Sequence, residues 1–181
     1  MHCWKTINIK HEYGTVRLTL WSFIIFVLVF SFSYITFGYG DPIQYSADYA
    51  WLFFIVVLFL YPIHKFVHYF GLFKYRKNIQ LKIKLDYFFI PIIRMRLKSM
   101  IPKNHYILVL LLPFILINSI LIYLANSLPI YTHYFCLLLA YHCSICLMDI
   151  LYVKNLLPAP RHSIIEETPK GYEILEPPDN L

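Results

Sequence analysis

Apolar residues in this chain come in long runs rather than in the short alternations of a soluble domain. The first run, from Leu18 to about Phe37, reads LTLWSFIIFVLVFSFSYITF. It predicts a helix that crosses the hydrocarbon core of a bilayer, which takes about 20 apolar residues. It is too long for the core of a signal peptide, and aromatic residues stand where a small-x-small cleavage site would be, so it reads as a permanent span. Gly38 to Pro42 forms a turn cluster,. A second run, 48–70, starts at Asp48, a suitable N-cap, and contains Pro62,. A third, 105–125, is interrupted by Pro113, and a fourth covers 131–153. Between the second and third the period changes. Ile79 to Leu85 and Ile93 to Lys98 alternate apolar with polar residues, which predicts a β-hairpin over about 79–98,.

The pattern thus predicts an integral membrane, mainly α fold: four transmembrane helices and a small cytoplasmic β-hairpin between helices two and three. Residues 1–157 read as a single membrane domain and 158–181 as a polar cytoplasmic tail, with one short strand at Tyr172 to Leu175 and otherwise extended or mobile chain. Composition agrees. Of 181 residues, 59% are hydrophobic and 14% charged, against about 45–50% and about 25% in ordinary globular domains.

The net charge of +6 refines the topology. Nine basic residues against the single acid Asp86 lie between Lys74 and Lys103. Such a segment predicts a cytoplasmic loop by the positive-inside rule, and its lysines and arginines can meet anionic headgroups. The expected location is the cell membrane, multi-pass, with both termini cytoplasmic. Nucleic acid is not an expected partner; the lipid bilayer is. Cys136, Cys143 and Cys146 fall inside an apolar run, where thiols pack as small hydrophobes rather than as a disulfide framework,.

Candidate chemistry centres on His64 and His68 in the second span. Four residues apart, they share one helical face and can reach a single ion,. Both spans two and four run from outside to inside. Asp149, five residues before Lys154, therefore lies at nearly the depth of the histidine pair,. Two histidines and a carboxylate are a common catalytic-zinc ligand set. The spacing is that of H-E-x-x-H, but Lys65 occupies the glutamate position,. His142, two turns deeper than Asp149 on the same face, is too far to share its ion and is expected to hydrogen-bond within the bundle.

Several pieces in order resemble one family. They are Cys3-Trp4-Lys5 with Ile7-Asn8, the His64 and His68 pair, Pro102, Tyr106 and Pro113-Phe114, then Ser144 and Asp149. The pattern continues through Pro160, Ser163, Glu167 and Gly171-Tyr172-Glu173-Ile174. Together they resemble the putative zincin peptidases, small membrane proteins similar to site-2-type intramembrane metalloproteases. The resemblance implies zinc as cofactor, with His64, His68 and Asp149 as metal ligands.

Three readings follow from Lys65. In one, the metal is kept and hydrolysis is lost, leaving a non-catalytic pseudoprotease with a binding or regulatory role toward a membrane-embedded or membrane-proximal protein. In another, the site is structural: Lys65 pairs with Asp149 and the histidines hydrogen-bond inside the bundle. In the third, an active zinc metallopeptidase uses an unconventional base: a charged lysine has no lone pair with which to take a proton, but a desolvated, neutral lysine does.

Overall fold

The computed structural model describes residues 2–38, 45–86, 90–97, 100–168 and 171–176, and the backbone alone over 76–97. Most of the turn expected at Gly38 to Pro42 and the hairpin loop at 87–89 lie outside the described residues. Four long helices dominate: α2 (Thr15–Gly38), α3 (Ala50–Gly71), α4 (Lys103–Ser127) and α5 (Thr132–Leu156). Each is long and apolar enough to cross a membrane. They coincide with the four predicted runs to within a turn at either end.

The helices differ in what they bury. α5 is the axis of the bundle, packed against α2, α3 and α4. It buries Cys136, Ala140, His142 and Cys146 completely. α2 and α3 instead turn Phe23, Leu28, Phe32, Phe54, Leu58 and Phe66 outward. In water such surfaces would be costly; against lipid tails they are matched. Neither proline breaks its helix, since α3 runs through Pro62 and α4 through the buried Pro113.

One end of the bundle is covered by a sheet that the sequence pattern shows only in part. β1 (His2–Ile7) pairs antiparallel with β6 (Gly171–Glu176), β6 with β5 (Ile164–Thr168), and β5 with the short β4 (Ile101–Pro102). The tail therefore carries two strands rather than one, and the polar lead-in supplies a third. Ile7, Ile101, Ile165 and Ile174 point from this sheet into a core shared with Val109, Leu147 and Leu151 of the helices. A five-residue helix α1 (Ile9–Tyr13) links β1 to α2 through Gly14, whose φ of 76° favours glycine,.

Lys103 locks the same end. Its buried ammonium donates to the carbonyls of Leu157 and Ala159, just beyond the end of α5. Those carbonyls follow the last helical turn, where a cation complements the helix dipole. The predicted hairpin forms from β2 (Ile79–Asp86) and β3 (Ile90–Leu97), paired in continuous register from Ile79 with Leu97 to Asp86 with Ile90.

Candidate metal centre

The structure brings together the three residues that the sequence places at one depth. His64 Nε2 lies 3.1 Å from Asp149 Oδ2, His68 Nε2 lies 3.4 Å from the same oxygen, and the two Nε2 atoms are 3.1 Å apart. All three residues are buried. They lie close beneath the four-stranded sheet: Asp149 is seven residues before the end of α5, about 10 Å along the axis,.

The far nitrogen of each ring fixes which atom carries the proton. His68 Nδ1 lies 3.0 Å from the carbonyl oxygen of Val109. A carbonyl only accepts, so Nδ1–H donates and Nε2 presents a lone pair. This carbonyl is available for a local reason. Its usual helical partner would be the N–H of residue 113, and that residue is proline,. The proline that interrupts the third apolar run thus orients a histidine on the facing helix.

His64 is fixed through a longer chain. Asn118 Oδ1 lies 2.7 Å from His142 Nδ1, while the same amide donates through Nδ2 to Cys143 Sγ at 3.4 Å. His142 therefore donates from Nδ1, and its Nε2 is an acceptor. That acceptor lies 3.2 Å from His64 Nδ1, which must donate to it. His64 Nε2 is then also a bare lone pair.

The consequence is chemical. In the neutral tautomers that these partners favour, two imidazole lone pairs and a carboxylate oxygen converge, and three acceptors facing one another repel unless a metal ion or a proton sits among them. Four-coordinate zinc, with bonds of about 2.0–2.2 Å, holds its ligand atoms about 3.3–3.5 Å apart. One observed separation, 3.4 Å, falls in that range, and the two of 3.1 Å lie about 0.2 Å inside it,. Outer hydrogen bonds that set the ring tautomer are a regular feature of histidine metal sites.

Among the described residues, Lys65 makes no hydrogen bond or salt bridge to this cluster. Its half-buried side chain places Nζ 5.8 Å from the centre of the Tyr61 ring, one turn earlier on α3,. Asp149 makes its close contacts with His64 and His68, and among the described residues no salt bridge joins it to Lys65. The ion pair expected by the structural reading is not formed, because the carboxylate is already taken by the two histidines.

His142 makes the bundle hydrogen bonds expected of it. Asn118 stands alone as an amide inside an apolar run and carries no sequence signal of its partner, and Cys146, one turn from His142 on α5, reads from sequence only as a small apolar packing group. Cys146 Sγ approaches His142 Nε2 at 3.6 Å and His64 Nδ1 at 3.8 Å.

Toward the sheet, Tyr106 donates to Glu167 Oε1 at 2.9 Å, and the Tyr172 ring packs on those of Tyr106 and Tyr152. Burial, and then the neighbouring Tyr106, Tyr152, Asp149 and Glu167, push the Tyr172 phenol well above its ordinary value, so it stays neutral,.

A family profile described as "Putative zincin peptidase" matches residues 57–164, from the middle of α3 to the first residue of β5. No curated protein and no solved structure matches the chain.

Proposed function

The chain belongs to the putative zincin peptidase family, and on that premise we propose that it is a multi-pass membrane protein whose His64, His68 and Asp149 hold zinc without the general base of a peptidase. Its role is then to bind or regulate a membrane-embedded or membrane-proximal protein. The observation that carries this reading is the meeting of three lone pairs at one point, beside a lysine turned to Tyr61.

Each residue has a defined part. His68 and His64 present Nε2 because Val109 and the pair His142 and Asn118 hold their other nitrogens. Asp149 contributes the one negative charge. Zinc, when bound, supplies Lewis acidity toward a carbonyl or carboxylate oxygen. A zincin adds a carboxylate at the position after the first histidine to take the proton from the attacking water. A protonated Lys65 accepts no proton there and repels a dication. Recognition of an oxygen ligand survives that replacement; hydrolysis does not.

The basic segment from Lys74 to Lys103 supports a cytoplasmic position for the end of the bundle that carries the sheet, and with it for both termini,. Zinc content of the purified chain tests the reading. The wild type should hold about one zinc per chain, and the double variant His64→Ala, His68→Ala should hold none. Equal zinc in the two would reject the site.

One contact favours the alternative of an active metallopeptidase with an unconventional base. Glu167 reaches Tyr106, which lies one turn before Val109 on α4, so the tail sets a carboxylate on the sheet side of the histidines. Cleavage of a membrane peptide by the zinc-loaded wild type, lost in Glu167→Gln, would establish that reading over the first.

A further inference from the structure

The ring of His64 has a second face toward donors, and Cys146 lies on it. Around His64 Nδ1 stand His142 Nε2 at 3.2 Å and Cys146 Sγ at 3.8 Å, with 3.6 Å between the last two. All three residues have no exposed surface. We propose that His64 Nδ1, His142 Nε2 and Cys146 Sγ form a second metal site, for a soft monovalent ion such as Cu(I), and that this site competes with the zinc site for the ring of His64.

The spacing is the first support. An ion with bonds of about 2.0 Å to nitrogen and about 2.3 Å to sulfur, in a trigonal plane, holds two nitrogens about 3.5 Å apart and each nitrogen about 3.7 Å from the sulfur. The two nitrogen–sulfur separations bracket the second value, and the two nitrogens, 3.2 Å apart, lie about 0.3 Å inside the first,. A thiol kept only as a small apolar group would rest against carbon; this sulfur rests against two ring nitrogens.

Tautomers give the second support. Asn118 holds the proton of His142 on Nδ1, so His142 Nε2 offers a lone pair whether or not His64 donates to it. His64 needs only to move its own proton from Nδ1 to Nε2, where Asp149 Oδ2 is 3.1 Å away to accept it. Cys146 loses its proton to solvent as the metal–sulfur bond forms. The balance is one ion bound and one proton released, with no change of oxidation state.

Charge and softness choose the ion. A thiolate with a monovalent cation is neutral, so the occupied site carries no net charge in the interior of an apolar bundle. Thiolate donors favour Cu(I) among the available soft ions, and the carboxylate at the first site favours a harder one. Cys143, although close in sequence, is turned to Asn118 and lies outside the triad. Because a neutral imidazole has one lone pair, His64 serves one site at a time. That competition, unlike the second site itself, rests on the zinc reading given above.

The test is anaerobic titration of the full chain in detergent with Cu(I) against a chromophoric chelator, in a Cys3→Ser background to remove the exposed thiol. Cys146→Ser should weaken Cu(I) binding by about 100-fold or more, the upper range for losses at a metal site, while keeping zinc. Cys143→Ser should leave Cu(I) binding within about threefold, a margin well under the loss of a ligand, and Asp149→Asn should lose zinc while still binding Cu(I) through one sulfur and two nitrogens. X-ray absorption on the Cu(I)-loaded Cys3→Ser chain, with no further substitution, should find one sulfur and two nitrogen neighbours. Prior loading with one equivalent of Cu(I) should lower zinc affinity about tenfold or more. Undiminished Cu(I) binding in Cys146→Ser, or a spectrum without sulfur, would overturn the site. Full-affinity binding of both ions together would overturn the competition. A chain that binds Cu(I) in this way but never zinc would reject the zinc reading alone.

Discussion

Val109 gives its carbonyl to His68 Nδ1 at 3.0 Å, and Pro113, four residues further along α4, is the reason that carbonyl is free to do so. Replacing Pro113 with alanine restores a competing N–H. Two effects of opposite sign are expected. The helix gains, since proline inside a helix costs about 3 kcal/mol, so the melting temperature should rise. Zinc affinity should fall about tenfold as His68 loses its tautomer anchor. Paired melting curves and zinc titrations read both, and a variant that loses neither affinity nor gains stability would contradict this account.

Lys65→Glu restores the missing carboxylate beside His64. If only the base is lacking, the variant should cleave a membrane peptide that the wild type leaves intact, by about 100-fold or more over background, the usual contribution of a positioned base. Zinc content should stay unchanged. Product analysis by mass spectrometry decides it.

Asn118 is expected to matter through one atom. Asn118→Leu strands the His142 Nδ1–H in the buried core at a cost of about 1–3 kcal/mol, and should weaken zinc about tenfold through the loosened His64 tautomer. Asn118→Asp keeps an acceptor at that position and should retain wild-type zinc affinity or better. Equal losses in both variants would point to packing rather than to the hydrogen bond.

Gly171 opens β6 where it crosses β1, and a Cβ there would lie 1.9 Å from the carbonyl oxygen of Ile7. Gly171→Ala should displace β1 and destabilise the chain by about 1–3 kcal/mol, the usual range for overpacking. Faster proteolysis of the first ten residues, with the helical circular dichroism retained, is the expected signature.

The basic segment predicts the sidedness of the termini. Cys3 is exposed on β1 while Cys136 and Cys146 are buried, so a membrane-impermeant thiol reagent reports chiefly on the N-terminal end. It should leave intact cells unlabelled and label inverted vesicles. Labelling of intact cells would reverse the orientation.

The four spans and the histidine pair were legible because both depend on periodicity within one helix. Asp149 was found by a depth estimate along the axis, which needs only charge positions and the helical rise. Asn118, Cys146 and the Val109 carbonyl were not, since their meeting with histidines depends on how far each helix is rotated about its axis. Hydropathy leaves that rotation nearly open in a bundle where α2 and α3 turn so much apolar surface outward. The sheet was half legible for a related reason. Tyr172 to Leu175 has strand character by itself, but His2 to Ile7 shows an almost uniformly exposed pattern and becomes a strand only by pairing with it.

That pairing also sets an order of events during synthesis. β1 is made first, yet its partner β6 emerges some 165 residues later, after every helix has been inserted. His64 and His68 likewise precede Asp149 by a little under half the length of the chain. A nascent chain halted anywhere before residue 176 would hold an open bundle end and, before Asp149, only two of three donors. Assembly of the centre is therefore a late step, open only once the fourth helix has supplied Asp149.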